Sequence, residues 1–391
     1  GAANTIIGTN GDGTRDNIEG NAISGNSSSG ISLSDQSGTV IAGNIIGLSA
    51  TSTKLVETQD FASLRLSQDA KGSAKVPNGR GIWIYSADKE DAKAVGGVRI
   101  GTNGDGLSDA LETNYISGNN SSGIQIEAGT GHAIAGNYIG LDPSGLAQGN
   151  SGDGVYLTAL VGSGTRIGTN GDGANDAAER NIISANSNYG VRLLNAATSV
   201  AGNYIGTDPS GSLARPNTNP GVFLEGGNNV IGVNGDGSPG EANEGNLISG
   251  NTQGGVWVQG GAGNRISGNL IGVNAAGTAA LPNANQGVNI QIGAANTVVG
   301  SNGDGVSDAL EGNIISGNLG NGVYLNSPGA AIDGTRITGN AIGLGSNRES
   351  AIPNGGSGIS LTGTSNTVIG LDSDTQRNWI KIGRASCRER V

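Results

Sequence analysis

Short segments with alternating aliphatic and polar positions recur along the whole chain, and Gly, Asn, Ser or Pro bounds each of them. A period of two framed by turn residues predicts short, half-buried β-strands. No segment carries a sustained helical period, so the pattern predicts an all-β protein. One phrase, x-x-I-x-[GA]-N, closes at Asn26, Asn44, Asn119, Asn137, Asn186, Asn203, Asn251, Asn269, Asn318 and Asn340. A second phrase, G-[IV]-x-[ILV], opens at Gly30, Gly81, Gly123, Gly154, Gly190, Gly221, Gly255, Gly287, Gly322 and Gly358.

A longer repeat is visible in the loops between these strands. The motif G-[TVS]-N-G-D-G begins at Gly8, Gly101, Gly168, Gly232 and Gly300. Such self-similarity, with a unit of about 66 residues and one expanded copy, predicts a solenoid. Three short strands with their turns fill about 22 residues, which we interpret as one coil, and the chain would then contain about 17 coils.

The strand phrases and the recurrent Asn after Gly resemble the right-handed parallel β-helix of the pectin-lyase-like superfamily, in which asparagine turns stack into ladders. The resemblance covers the repeats and implies a fold but no activity. We expect one β-helix domain over residues 1–381, with insertions near 49–76 and 86–95.

Both ends of the chain are expected to be artificial. The chain starts in the middle of a repeat with Gly1, which predicts a fragment of a longer protein. Residues 382–391 depart from the repeat and resemble the translation of a sequencing adapter, so we interpret them as a non-native tail. This tail carries Cys387, which is the only cysteine.

The charge of the chain narrows the range of partners. The formal net charge is −11, which disfavours nucleic acid and anionic membranes as partners. No run of residues is apolar enough for a membrane span. An acidic, Asn- and Gly-rich rod resembles bacterial surface and secreted repeat proteins, so we expect an extracellular or cell-surface location.

The recurring loop is the first candidate for chemistry. Counted from its first Gly, it has oxygen-bearing side chains at positions 3, 5, 9 and 12, the spacing of an EF-hand calcium loop without the acid at position 1. The copy at Gly232 is weaker because Gly240 stands where Asp is expected. The same residues suit a tight turn followed by a capping box, and both interpretations stay open. The candidate Ca²⁺ ligands are Asn10, Asp12, Asp16, Glu19, Asn103, Asp105, Asp109, Glu112, Asn170, Asp172, Asp176, Glu179, Asn302, Asp304, Asp308 and Glu311.

A row of aromatic residues is the second candidate. The middle position of G-[IV]-x-[ILV] alternates with two inward aliphatics, so its side chain should point outward. Aromatic residues make up only 3% of the chain, yet they fill about half of this row, and outward rings are suitable platforms for sugars. The alternative is packing beneath neighbouring loops. The candidate ligand-binding residues are Trp83, Tyr85, Tyr156, Phe223, Trp257 and Tyr324.

The two insertions flank Trp83 and Tyr85. Long loops on a rigid scaffold often carry specificity, although a tolerated surface insertion is the alternative. They bring many charged residues, among them Lys75 and Arg80.

No catalytic motif of the resembled enzymes is recognisable. Family hydrolases use an aspartate cluster with a nearby His, and family lyases use Ca²⁺ with an Arg or Lys base. His132 is the only histidine and has no acid beside it, so it is interpreted as a turn residue. Recurrent arginines before the inward Ile, at Arg99, Arg166, Arg265 and Arg336, are interpreted as a solvated face.

These observations favour a non-enzymatic extracellular or cell-surface protein with a structural or adhesive role, binding a polysaccharide or cell-surface glycan and stiffened by calcium. The alternative is an enzyme, a polysaccharide lyase or glycoside hydrolase acting on an acidic polysaccharide.

Overall fold

The structure is a computed structural model that describes residues 4–49, 74–88, 96–291, 293–327 and 332–381. The expected tail at 382–391 lies outside the described residues, as do 50–73 and 89–95 within the two expected insertions.

Three long parallel sheets build the molecule, and the chain visits the first, second and third sheet in turn on every coil. The first and second sheets have 11 strands each and the third has 10. The first sheet contains β1 (Ile6–Gly8), β4 (Val40–Ala42), β7 (Arg99–Gly101), β10 (Ala133–Ala135), β13 (Arg166–Gly168), β16 (Ser199–Ala201), β19 (Val230–Gly232), β22 (Arg265–Ser267), β25 (Val298–Gly300), β29 (Arg336–Thr338) and β33 (Val368–Ile369).

The second sheet contains β2 (Ala22–Ile23), β5 (Ile45–Ile46), β8 (Tyr115–Ile116), β11 (Tyr138–Ile139), β14 (Ile182–Ile183), β17 (Tyr204–Ile205), β20 (Leu247–Ile248), β23 (Leu270–Ile271), β26 (Ile314–Ile315), β30 (Ala341–Ile342) and β34 (Trp379–Ile380). The third sheet contains β3 (Ser29–Ser34), β6 (Arg80–Tyr85), β9 (Ile124–Ile126), β12 (Val155–Leu157), β15 (Val191–Leu193), β18 (Val222–Leu224), β21 (Val256–Val258), β24 (Val288–Gln291), β27 (Val323–Asn326) and β31 (Ile359–Thr362).

The remaining elements are small. A two-stranded sheet pairs β28 (Ile332–Asp333) with β32 (Thr364–Ser365), and single helical turns occur at α1 (Asp16–Glu19), α2 (Asp308–Glu311) and the 3₁₀ turn Glu241–Asn243. Within the described residues, no helix is long and apolar enough to cross a membrane.

The core is a continuous stack of aliphatic side chains inside the coil. Inward residues of adjacent rungs stand in register, as in Ile100, Ile134 and Ile167 of the first sheet, and all three are fully buried. The parallel ladders satisfy the hydrogen-bonding groups of the backbone, and the inner faces of the three sheets pack against one another. An all-β parallel β-helix is therefore confirmed.

Two ladders of asparagines, buried except at the ends of the rod, run along the corners on either side of the second sheet. In each ladder the Nδ2 group of one Asn donates to the Oδ1 atom of the next, as from Asn186 to Asn217 and from Asn217 to Asn251 at 3.0 Å. The first ladder contains Asn21, Asn44, Asn114, Asn137, Asn181, Asn203, Asn246, Asn269, Asn313, Asn340 and Asn378. The second contains Asn26, Asn78, Asn119, Asn150, Asn186, Asn217, Asn251, Asn283, Asn318 and Asn354.

The ladders correct the predicted length of one coil. Steps along the second ladder are 31, 34 and 32 residues from Asn186 to Asn283, not about 22. The phrase x-x-I-x-[GA]-N occurs in both ladders, but the predicted coil length takes all its copies as one series. The expected coil was therefore too short, and the expected number of 17 coils was too high. Steps along the first ladder alternate, for example 22 and then 43 residues, because the G-[TVS]-N-G-D-G loop is inserted on every second coil. The repeat of about 66 residues is thus two coils, and 11 rungs make a rod about 50 Å long.

Candidate functional site

The outward row predicted from sequence stands on the third sheet in strict register. Trp83 pairs with Gln125, Gln125 with Tyr156, and Tyr156 with Arg192 in the parallel ladders. Their inward neighbours are fully buried aliphatics, which leaves the row on the outer face. We call this set the outer row: Ser32, Trp83, Gln125, Tyr156, Arg192, Phe223, Trp257, Asn289, Tyr324 and Ser360.

Arg192 lies at the middle of the outer row among three aromatic rings. Its Cζ atom is 5.1 Å from the ring centroid of Tyr156, 5.6 Å from that of Tyr189 and 5.8 Å from that of Phe223. Its Nε atom is buried without a hydrogen-bond partner, and the guanidinium forms no ion pair with the described residues. Rings hold this cation in place without neutralising it, so it can receive an anionic group.

Asp153 lies beside this arginine, just before β12. Its side chain is 4% exposed and accepts a hydrogen bond from the backbone N–H of Tyr189 at 3.2 Å. Burial raises the pKa of the Asp153 carboxyl to about 6, against the opposing effects of that N–H and of Arg192. Burial also raises the pKa of the Tyr189 phenol. The cluster therefore places a group that titrates near neutral pH and a phenol that keeps its proton beside a cation.

A second aromatic and cationic group occupies β6. The rings of Trp83 and Tyr85 stack with centroids 4.1 Å apart, and the Arg80 Cζ atom is 4.7 Å from the Trp83 centroid. Arg80 Nε donates to Gln125 Oε1 at 2.9 Å, which links this group to the next rung. Three rungs separate it from Arg192, or about 14 Å along the rod.

The predicted platforms are not equivalent. Tyr156, Trp257 and Tyr324 are partly exposed, whereas Phe223 is only 3% exposed. The ring of Tyr189 lies 4.6 Å from that of Phe223 and covers it, so Phe223 supports the cluster rather than offering an open face.

The recurrent arginines of the first sheet have a different environment, and the expected solvated face is wrong for three of them. Arg99 pairs with Glu112 at 2.8 Å and Arg166 with Glu179 at 3.1 Å, and Arg265 pairs with Glu311. These three glutamates are fully buried. These ion pairs hold the loops against the β-helix, and in each pair the glutamate neutralises the arginine.

The candidate calcium ligands lie in these loops, but their oxygens bind the loop itself. In the copy at Gly168, Asp172 Oδ1 accepts from Ala174 N at 2.7 Å and Glu179 Oε2 accepts from Asn170 N at 2.8 Å. The copies at Gly8, Gly101 and Gly300 repeat this pattern. Among the described residues, no three His, Cys, Asp or Glu side chains are grouped closely enough to hold a metal ion. The geometry favours a tight turn whose carboxylates bind loop amides, but α1 and α2 have no side-chain cap, so the expected capping box does not form. Calcium stays a prediction.

His132 is buried away from the outer row, just before β10. Its Nε2 atom lies 3.1 Å from the carbonyl oxygen of Ala128, and burial lowers the pKa of the imidazole. A neutral buried imidazole on the first sheet has no direct role at the third.

Sequence reasoning missed Asp153 and Tyr189, although Arg192 was placed in the outer row. Both residues precede the Gly that opens the second phrase, a position that varies too much between repeats to attract notice. An ionisable or aromatic residue directly before this Gly was the available signal.

Several solved structures align with most of this chain at low identity. A double mutant of the periplasmic alginate epimerase AlgG aligns with 91% of this chain and 73% of its own at 13% identity, with a TM-score of 0.46. The A-module of the mannuronan C-5 epimerase AlgE6 from Azotobacter vinelandii aligns over 88% and 74% at 14% identity, with a TM-score of 0.35. The pectate lyase Pel9A aligns over 90% and 74% at 15% identity, with a TM-score of 0.28. No protein-family model and no curated protein sequence matches the chain.

Its three parallel sheets, visited in turn on every coil, make this chain a parallel β-helix protein. The expectation of a non-enzymatic structural or adhesive role for this β-helix is wrong, because the solved structures that it resembles are polysaccharide epimerases and lyases. At such identities and TM-scores the likeness assigns no activity to this chain, so the activity has to be argued from the residues of this β-helix.

Proposed function

We propose that this β-helix binds an acidic polysaccharide along the outer face of the third sheet and cleaves it by β-elimination. The observation that carries the proposal is the cluster of Arg192, Asp153 and Tyr189, in which an unpaired cation lies beside a carboxyl of raised pKa and a protonated phenol.

Arg192 would bind the carboxylate of one uronate residue. A guanidinium offers paired N–H donors to a carboxylate, and its aromatic surroundings exclude water from the contact. This contact would become stronger as negative charge develops on the carboxylate during loss of the C5 proton, which is the stage at which catalysis requires stabilisation.

Asp153 and Tyr189 would move the two protons of the elimination. The C5–H bond breaks and its proton passes to the Asp153 carboxylate, while a double bond forms between C4 and C5. The C4–O bond breaks, and the leaving oxygen takes a proton from the Tyr189 phenol. A base of pKa about 6 and a neutral phenol are in the right states for this exchange near neutral pH.

Elimination is preferred to hydrolysis because of the carboxylate spacing. Glycoside hydrolysis uses two carboxyl groups about 5 to 9.5 Å apart across the scissile bond. On this face, Glu127 and Glu225 follow their strands, on the opposite side of the outer row from Asp153 and one and two rungs away from it. Each is therefore well beyond ~10 Å from Asp153.

The neighbouring outer-row rings would hold adjacent sugars. Trp83, Tyr156 and Trp257 present partly exposed rings above and below Arg192, at multiples of the rung spacing of about 4.8 Å. Since acidic polysaccharides of this kind occur outside the cytoplasm, we propose an exported protein that acts at the cell surface or beyond. Calcium has no part in the proposed step.

The test is an assay for unsaturated uronate ends after incubation with pectate, alginate and glycosaminoglycan. Wild-type protein should form them from at least one polymer, and Arg192→Gln and Asp153→Asn should each lower the rate by at least 100-fold. The matched control is Arg180→Gln, because Arg180 lies 4.1 Å from the Tyr204 ring on the second sheet in a similar cation–π pair. Unsaturated ends from both variants at the wild-type rate, or hydrolysed ends without unsaturation, would contradict the proposal.

A further inference from the structure

The outer face of the third sheet changes character along the rod. From β3 to β18 it carries charged residues, among them Arg80, Asp153, Arg192 and Glu225. From β21 onward its positions hold only aromatic, amide and hydroxyl side chains: Trp257, Gln259, Asn289, Gln291, Tyr324, Asn326, Ser360 and Thr362. We call this second part the neutral half.

Three buried polar atoms in or beside the neutral half have no hydrogen-bond partner among the described residues. Asn289 is 4% exposed, and its Oδ1 atom has no hydrogen-bond partner. The Trp257 Nε1 and Gln286 Oε1 atoms are also buried and unpartnered. Buried polar atoms are normally bonded, since leaving one unpaired forfeits its hydrogen bonds to water. An unpaired acceptor such as Asn289 Oδ1 suits a ligand that has hydroxyl groups.

The backbone makes room for the ring of Trp257. A Cβ atom at Gly254 would lie 2.3 Å from Trp257 Nε1, so the indole leans over this glycine. Trp257 and Tyr324 are partly exposed and stand one rung to either side of Asn289. Two partly exposed rings therefore flank a buried amide on the outer face of the third sheet.

We propose that Trp257, Asn289 and Tyr324 form a subsite for neutral sugar residues. The substrate is then a mixed polysaccharide, with a uronate at Arg192 and neutral sugars toward β27. This inference rests on the proposed function for the uronate end only. Trp257 is two rungs from Arg192, about 10 Å, which corresponds to two 1,4-linked sugars.

Calorimetric titration of the whole chain tests the subsite independently of catalysis. The probes are cellohexaose and mannohexaose as neutral chains, hexagalacturonate as a purely acidic chain, and a deacylated gellan oligosaccharide in which neutral sugars separate the uronates. The variants are Trp257→Ala, Asn289→Ala, Gly254→Ala, which displaces the indole without removing it, and Arg192→Gln. Trp379→Ala is the matched control, because this tryptophan lies on the second sheet and is 41% exposed.

At least one neutral hexasaccharide should bind wild-type protein, and Trp257→Ala, Asn289→Ala and Gly254→Ala should each weaken that binding at least fivefold. Trp379→Ala should leave it unchanged. The gellan oligosaccharide should bind more tightly than either homopolymer and lose affinity in both the Trp257 and the Arg192 variants.

No binding of either neutral chain, or equal binding by all folded variants, would overturn the subsite. Thermal melts of each variant show whether it is folded, and Gly254→Ala keeps every side chain of the subsite. If neutral chains bind through Trp257 but no polymer is cleaved, the subsite stands and the proposed elimination is wrong. If uronans are cleaved but neutral chains do not bind, the proposed elimination stands and the subsite is wrong.

Discussion

Arginine side chains have two distinct environments in this molecule, and the difference separates structure from function. Arg99 and Arg166 each bind a fully buried glutamate, whereas Arg192 is surrounded by aromatic rings. The sequence shows both kinds before or within a strand, and spacing alone could not tell which had a carboxylate partner. The partner of Arg166 follows 13 residues later, after a loop whose path the pattern does not define.

Asp153 provides a prediction at the same scale. Its folded pKa of about 6 lies above the value of about 3.9 in an unfolded chain, so the folded state holds the proton more tightly. The fold therefore loses stability as the pH rises from about 4 to 6, and the loss is complete above that range. Asp153→Asn should raise the melting temperature at pH 8, by an amount equivalent to about 2–3 kcal/mol, and should have little effect at pH 4.

The control for this experiment is Glu225→Gln, which changes an exposed carboxylate on the same face. Thermal melts of the three proteins at both pH values are sufficient. A stabilisation by Asp153→Asn that is equal at pH 4 and pH 8 would show that ionisation of this carboxyl does not lower the free energy of unfolding.

At the scale of elements, the strands were predictable and their grouping into coils was not. The second phrase marks each strand of the third sheet from β3 to β31, because its alternation follows directly from one buried face. The Asn phrase occurs at two corners with almost identical chemistry. Only the hydrogen bonds, which join Asn186 to Asn217 rather than to Asn203, separate the ladders.

The ladders predict a strong dependence of stability on position. Asn217 is fully buried; it accepts from Asn186 and donates to Asn251 and to the Ile183 carbonyl. Asn217→Ala should lower the free energy of unfolding by about 2–4 kcal/mol, because it leaves several buried groups unpaired. Asn26→Ala, at the exposed first rung of the same ladder, should cost less than half as much. Urea denaturation measures both, and equal losses would contradict a cooperative ladder.

The G-[TVS]-N-G-D-G loops give a further prediction at this scale. Their carboxylates accept hydrogen bonds from loop amides, as Asp172 does from Ala174, so the loops should be stable without a metal. Melting curves in excess Ca²⁺ and in chelator should coincide, and Asp172→Ala should lower the melting temperature equally in both. A higher melting temperature in Ca²⁺ that Asp172→Ala abolishes would instead establish the calcium site expected from sequence.

At the scale of the whole molecule, the two-coil repeat places the G-[TVS]-N-G-D-G loops away from the proposed site. The G-[TVS]-N-G-D-G loops connect strands of the first sheet to strands of the second, as between β13 and β14, and none of them crosses the third sheet. In the part of the chain that the structure describes, the third sheet is therefore a surface of 10 strands that none of these loops covers. Its length suits a polymer better than a small molecule. Its side chains change from charged to neutral along the rod, which would fix the direction in which the proposed polysaccharide binds.

The central claim is that this face positions a uronate at Arg192, and a crystal structure with a bound oligosaccharide tests it most directly. The Asp153→Asn protein, soaked with an oligouronide that wild-type protein binds, would hold the ligand without turnover. We predict that one uronate carboxylate lies within hydrogen-bond distance of the Arg192 guanidinium and that the adjacent sugars follow the outer row along the rod. An oligosaccharide bound on the first or second sheet, or on the third sheet with its carboxylates away from Arg192, would contradict the account.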